Sequence, residues 1–429
     1  VDGHGKIGLK EAVAIGIGGM IGGGIFAVLG LAAEYSGYGT PFAFLLAGLA
    51  ALLTSYSYAK FSVVIPSEGG TVEFIAAAFR NGLFVGAVNL LLLLSYVVML
   101  SLYSHAFGAY LAALFGWGFW PAGQIFATLV LLFFAWLNLR GAKTVGHTED
   151  IIVGIKLFIL LLFSIIGLYG VHWERFTQVS ADLGSIIAGG FLIFLAYEGF
   201  ELIANTARDI EDPLRNIPRA YYISVLAVII IYVLVAVVAL GHMSPEQLVK
   251  AKDYALAEAA RPFLGNAGFV LIALAALLST ASAINATVYG SARIAYSLAK
   301  DGVLPDIRFG NWTESAEGLA IVTLLAIIMV NTINLGGISL LGSAGFLLIF
   351  GLVNLGAMLL YRRLHANLWI TGAATLLTFS ALLTLLYKVS QKHPGSVTIF
   401  FAIFAAAFII EAVYRSVRRR TVHLRFWRE

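Results

Sequence analysis

Three groups of residues in this chain carry chemistry in places where chemistry is costly. Lys156 stands in GIKLFILLLF, Glu198 and Glu201 stand in FLAYEGFELIAN, and six of the nine positions from Gly16 to Gly24 are glycine, in GIGGMIGGGIF. All three groups interrupt otherwise apolar stretches. An ionised side chain in the middle of a bilayer costs several kcal/mol unless it meets polar surroundings. Each glycine costs a helix interior roughly 1 kcal/mol relative to alanine. Close helix packing through a small-xxx-small pair such as Gly18 and Gly22 uses two or three of the glycines. The others fit an unwound segment that lines a cavity, the one setting in which irregular backbone is tolerated at membrane depth. Such a break has its own chemistry. The first turn of the following half-helix presents free N–H groups and a positive dipole end, which suit a carboxylate. The last turn of the preceding half-helix presents free carbonyls, which suit an ammonium group. Together they fit a ligand with both groups, as an α-amino acid has.

Other chemistries find no residues. With no cysteine, thiolate catalysis, disulfides and cysteine-ligated metals are absent. The eight histidines are dispersed, and none forms a His-x-x-x-His or Glu-x-x-His set. No Gly-Lys-Ser/Thr phosphate loop is present, so ATP is not the expected energy source. No enzyme activity, metal or organic cofactor is expected.

The positioning elements follow from composition. Of 429 residues, 60% are hydrophobic and 12% charged, with a mean hydropathy of +0.92; soluble chains carry about 25% charged residues. A bilayer core of roughly 30 Å takes about 20 apolar residues in a helix. Twelve stretches qualify, near residues 9–35, 40–64, 82–115, 121–140, 148–170, 184–207, 217–241, 265–296, 318–334, 337–361, 367–388 and 396–414. Two amphipathic stretches, 69–80 and 244–262, read as short helices on the membrane surface. The first stretch does not read as a cleaved signal peptide, because further spans follow it at once. With the N-terminus inside, twenty Lys and Arg fall on the inner side and six on the outer, leaving Lys156 within the fifth span. Both termini are thus expected in the cytoplasm. The basic tail 415–429 reads as a contact for anionic lipid, not for nucleic acid. Trp117, Phe119 and Trp120 read as part of an outer aromatic belt.

The sixth stretch is interrupted like the first, at Gly189-Gly190 and through Tyr197 to Glu201. Paired interruptions in the first and sixth spans point to an inverted-repeat transporter with its site at the midplane.

Three ordered motifs carry a family resemblance. Residues 18–26, GGMIGGGIF, resemble the GxxIGxGIF signature of the amino acid–polyamine–organocation (APC) superfamily. Residues 194–220, with the turn Asn216-Ile217-Pro218-Arg219, resemble its sixth helix and following loop. Residues 282–305 resemble its eighth helix and Lys-Asp-Gly exit. The resemblance covers roughly residues 7–365. It is closest to ApcT-like broad-specificity amino acid:proton symporters, through Lys156.

The resemblance implies an all-α polytopic membrane protein with twelve transmembrane helices in a LeuT-type 5+5 inverted repeat. Helices 1 and 6 are broken, and two further helices follow the repeats. Residues 7–170 form the first repeat, 184–361 the second, 366–414 the last two helices and 415–429 the basic tail, in one integral membrane domain. The implied function is import of L-amino acids across the cell membrane by proton symport with alternating access, the proton serving as coupling ion. Amino-acid or polyamine exchange and cationic amino-acid transport stay open as alternatives, with a passive channel or sensor behind them. The partners are the amino acid and the lipid bilayer, in a monomer or weak homodimer.

Carried over by residue, the resemblance assigns the amides of Gly23 and Gly24, with Gly22 nearby, to the substrate carboxylate. The carbonyls of Met20, Leu195, Ala196 and Glu198 are assigned to the amino group. Lys156 matches the lysine that stands where sodium-coupled relatives hold a cation, with its ammonium near Gly18 and Ser279. Gly23 replaces the usual serine of the signature, and Glu198 replaces a commonly apolar residue. Glu198 is then a protonated core carboxyl, a selectivity group or a coupling group. Glu201 is either an acidic functional position or a polar anchor, and His105 either a satisfied imidazole or a proton relay. Ser101, Ser104 and Asn285 either line the cavity or join helices by hydrogen bonds.

Overall fold

A computed structural model describes residues 7–67, 69–80, 82–117, 121–140, 146–177, 179, 181–300 and 314–418. Lys6, Phe119, Trp120, Lys143, residues 301–305 of the third motif and residues 419–429 of the basic tail lie outside the described residues.

The described chain is helical throughout. The first apolar stretch is two helices, α1 (Leu9–Met20) and α2 (Gly24–Ser36), followed by α3 (Thr40–Val64), the short α4 (Thr71–Phe79), α5 (Leu83–Leu114), α6 (Ala122–Leu139) and α7 (Gly146–Leu168). The sixth stretch is α8 (Leu183–Leu192), a 3-10 segment Phe194–Glu201 and α9 (Leu202–Asn205), bent by 44°. Then come α10 (Pro213–His242), α11 (Pro245–Ala251), α12 (Ala255–Lys300), α13 (Glu314–Thr332), α14 (Leu335–Leu359), α15 (Leu368–Lys392) and α16 (Pro394–Arg418). All twelve apolar stretches fall on helix. Nine helical stretches are long and apolar enough to cross a membrane, or ten with the bent pair, among the described residues. The protein is a multi-pass membrane protein.

Both amphipathic stretches turn apolar side chains towards protein. In α4, Phe74 and Ile75 are buried, and Phe74 stacks on Phe61 of α3 with ring centroids 4.9 Å apart. The second stretch is not one surface helix. Pro245, Leu248 and Ala251 of α11 are buried, a 3-10 turn follows at Lys252–Tyr254, and α12 begins at Ala255. Gly265 then bends α12 with φ of +63°. An amphipathic pattern demands cover for its apolar face, and here protein supplies that cover.

The broken elements lie in the middle, packed by α3, α5, α10, α12 and α14. At one end, Ile7 pairs with Ile210 in a parallel β-bridge, tying the chain before α1 to the chain after α9. At the other end, Lys388 of α15 bonds Asp182, the N-cap of α8, at 3.1 Å. The Ser185 and Lys388 hydrogen bonds hold the Asp182 carboxyl down at about 2.

Candidate functional site

The first break is made of backbone. α1 ends as the Ile21 N–H donates to the Ile17 carbonyl at 2.8 Å, and α2 begins as the Ala27 N–H donates to the Gly23 carbonyl at 3.1 Å. The N–H groups of Gly24, Ile25 and Phe26 therefore have no acceptor within their helix. Glycine is required here by proximity. A Cβ on Gly24 would lie 2.7 Å from the Ala196 Cα, one on Gly23 would lie 2.6 Å from the Tyr103 ring, and one on Gly19 would lie 2.6 Å from the Gly199 carbonyl oxygen. The two interrupted elements cross at Gly19 and Gly24, backbone to backbone, while Gly23 faces Tyr103 of α5 and Thr280 of α12. Gly22 is roomier, since its Cβ would meet Ala283 at 3.2 Å.

The second break is held by side chains. The Leu192 carbonyl, at the end of α8, accepts from Ser339 (2.6 Å) and Ser343 (2.7 Å), both of α14. The Ser343 hydroxyl also accepts from the Leu195 N–H at 3.2 Å. Tyr232 of α10 spans both breaks, donating to the Met20 carbonyl at 2.7 Å and lying 3.2 Å from the Ala196 carbonyl. These are two of the four carbonyls assigned to an amino group. Each carbonyl has a second lone pair, so an ammonium group would share or displace the tyrosine hydroxyl there.

Lys156 is 1% exposed, and its ammonium donates to the Gly18 carbonyl at 3.1 Å. Ser279 of α12 donates to the Ile21 carbonyl at 2.8 Å and makes a short contact with that of Gly22. Lysine and serine, from two different helices, thus end on carbonyls in the last turn of α1 and just past its end, at the glycine break. The structure brings Gly18, Met20, Gly22, Gly23, Gly24, Lys156, Leu195, Ala196 and Ser279 into one region.

The two carboxyl groups differ. Glu201, 2% exposed, accepts from Thr71 at 3.0 Å, Tyr58 at 3.4 Å and Tyr96 at short range. Three hydroxyls, from α3, α4 and α5, converge on it. Glu198, 5% exposed, has no hydrogen-bond partner among the described residues, and faces Glu201, Tyr96 and Tyr103 electrostatically. His105 lies away from the breaks, with Nε2 3.5 Å from Asp253. Ser101 and Ser104 bond carbonyls of their own helix at 2.8 Å, and Asn285 accepts from Asn138 of α6 at 2.9 Å, joining two helices.

Sequence reasoning missed Tyr58, Thr71, Tyr96, Tyr232, Ser339 and Ser343. A signal existed for two of the tyrosines: a buried phenol needs a partner for its hydroxyl, and Tyr96 and Tyr232 stand in apolar runs. The signal does not name the partner.

The candidate site is thus a broken pair of helix ends, with amides that have no intrahelical acceptor at the start of α2 and carbonyls met by Tyr232, Ser279 and Lys156, and the described residues form no metal-ligand cluster. The chain matches the amino acid permease family over residues 7–417 and belongs to that family. It is 38% identical over 97% of its length to an uncharacterised protein of Methanocaldococcus jannaschii, of which 97% is covered. It is 33% identical over 98% to the inner membrane transport protein YbaT of Escherichia coli, also 98% covered. The crystal structure of a manganese transporter of Eremococcus coleocola superposes with a TM-score of 0.63 at 14% identity, covering 98% of this chain and 97% of that one. At that identity the likeness is one of fold alone. The protein is a transporter, not an enzyme.

Proposed function

We propose that the protein imports L-amino acids across the cell membrane by proton symport, alternating access around the broken pair. In this reading the chain crosses the membrane twelve times as two inverted five-helix repeats, 7–170 and 184–361, with two further helices and both termini in the cytoplasm. The substrate carboxylate sits on the free amides of Gly23 and Gly24 beside Gly22. The ammonium sits on the carbonyls of Met20, Leu195, Ala196 and Glu198. No cofactor takes part beyond the coupling proton, and the chain works as a monomer or weak homodimer.

The observation that carries the reading is the Lys156 bond to the Gly18 carbonyl at 3.1 Å, beside the Ser279 bond to Ile21. A buried ammonium in that place ties α7 to α1 and repels a sodium ion. If opening to the inside separates lysine from carbonyl, the proton is released there. One proton then follows each substrate. The test is uptake of radiolabelled amino acids by proteoliposomes. Accumulation should require an inward proton gradient, collapse with an uncoupler and ignore sodium. Exchange that needs amino acid loaded inside and no gradient would replace symport with antiport.

Glu198 decides the substrate's charge. A carboxylate without a hydrogen-bond partner holds a cationic side chain if ionised and does not if protonated. Our reading is neutral amino acids, with Glu198 protonated. Glu198→Gln should therefore change the affinities for L-alanine and L-lysine by less than threefold. A selective fall in lysine affinity of about tenfold, or about 1.4 kcal/mol, would assign cationic substrates instead.

A further inference from the structure

Four hydroxyls around the broken pair are spent on the protein. Tyr96 donates to Glu201, Tyr232 to the Met20 carbonyl, Ser279 to the Ile21 carbonyl and Thr280 to the Ala276 carbonyl. Two polar side chains there are not. Glu198 and Tyr103 are each 5% exposed, and neither has a hydrogen-bond partner among the described residues. A buried hydroxyl or carboxyl without a protein partner is an exception in folded proteins, and water or a ligand is what satisfies it. The crossing of the two elements sets where these groups stand. A Cβ on Gly23 would lie 2.6 Å from Cδ1 of Tyr103, and one on Gly22 would lie 3.4 Å from its hydroxyl oxygen. The Tyr103 ring therefore runs along the break from Gly23 to Gly22, with its hydroxyl at the Gly22 end. Glu198 stands in the 3-10 segment between Ala196, which packs on Gly24, and Gly199, which packs on Gly19. It also lies within electrostatic reach of the Tyr103 phenol. The two groups flank the first break from α5 and from the 3-10 segment.

We infer that Tyr103 and Glu198 form the subsite for the substrate's side chain, and that this side chain is neutral and carries a hydroxyl or a carboxamide. The inference rests on the amino-acid reading of the broken pair, with Glu198 protonated. The backbone at Gly23 and Gly24 reads only the groups that all α-amino acids share, so discrimination falls to side chains beside it. A phenol and a carboxylic acid each donate and accept a hydrogen bond. A threonine hydroxyl also does both, and an asparagine carboxamide offers a carbonyl acceptor and an N–H donor. The two sets match. An apolar side chain of the same shape satisfies neither Tyr103 nor Glu198 and leaves both buried without a partner. That is how a polar subsite rejects an isostere lacking the polar group. A lysine side chain offers donors only and would demand the ionised carboxylate.

The experiment is equilibrium binding of tritiated L-threonine, L-valine, L-asparagine, L-leucine and L-lysine to the purified full-length protein in nanodiscs. Threonine and valine share one shape, and asparagine and leucine nearly do, so each pair isolates the polar group. Threonine should bind at least about tenfold tighter than valine, and asparagine at least about tenfold tighter than leucine. Tyr103→Phe and Glu198→Met each remove one polar group at nearly constant volume. Each should cut both affinity ratios at least about threefold. Glu198→Gln, which still donates and accepts, should keep them. The Tyr103 hydroxyl has no protein partner to lose, so the phenylalanine variant tests the subsite without disturbing the fold. Valine bound as tightly as threonine by the wild type, lysine bound tightest of the five, or unchanged ratios in either Tyr103→Phe or Glu198→Met would overturn the inference and leave the amino-acid reading standing. No binding of any of the five would sink that reading itself.

Discussion

Lys156→Ala should abolish accumulation of amino acid against a gradient while leaving substrate binding partly intact. The ammonium is buried and bonds the Gly18 carbonyl at 3.1 Å, two residues before the first carbonyl of the proposed substrate site. A hydrogen bond from a charged group contributes about 1.5–3 kcal/mol, which is about tenfold to a hundredfold in an equilibrium. Losing it shifts the balance between states in which α1 is tied to α7 and states in which it is free. No proton then rides on that change. Wild-type uptake should rise as outside pH falls and be indifferent to sodium. Truncating a buried lysine also opens a void, so Lys156→Met, which keeps most of the volume, separates coupling from packing. The methionine variant should fail to accumulate substrate like the alanine variant, with smaller loss of thermal stability. Sodium-stimulated uptake by the wild type, or normal proton-driven accumulation by either variant, overturns the mechanism.

Gly24→Val should lower amino-acid affinity at least tenfold and lower the melting temperature with it. A Cβ at this position would sit 2.7 Å from the Ala196 Cα and 2.8 Å from its Cβ. The first of these atoms is backbone, which cannot rotate away. Overpacking of this kind costs about 1–3 kcal/mol. Valine pushes α2 off the 3-10 segment and moves the free N–H groups of Gly24 and Ile25 away from the carbonyls they act with. Gly154→Val is the control, because nothing lies within 4 Å of a Cβ there. Binding measured by thermal stabilisation with L-alanine should survive in the control and vanish in Gly24→Val. Equal affinity in the two variants would place the substrate site elsewhere.

The sequence alone determined the helical class, the apolar stretches and the two breaks, because each rests on local free energies. Hydropathy over about 20 residues decides what lies in lipid, and glycine's cost in a helix decides where the helix gives way. Gly16 to Gly24 state the first break outright, and Lys156 declares itself as an ammonium with apolar neighbours on both sides. The tertiary structure decided what those groups touch. Glu201 meets Tyr58, Thr71 and Tyr96 from 143, 130 and 105 positions away. The break in the sixth stretch is closed by Ser339 and Ser343 from beyond position 330, and Tyr232 reaches Met20 across 212 positions. No local pattern encodes such pairings, because a hydroxyl in an apolar run shows only that some partner exists. The same holds for cover. The stretches 69–80 and 244–262 each announce an apolar face, but lipid tails and protein side chains are nearly equal as apolar solvents. Only the packed bundle, with Phe74 against Phe61 and Leu248 buried, chose protein over lipid.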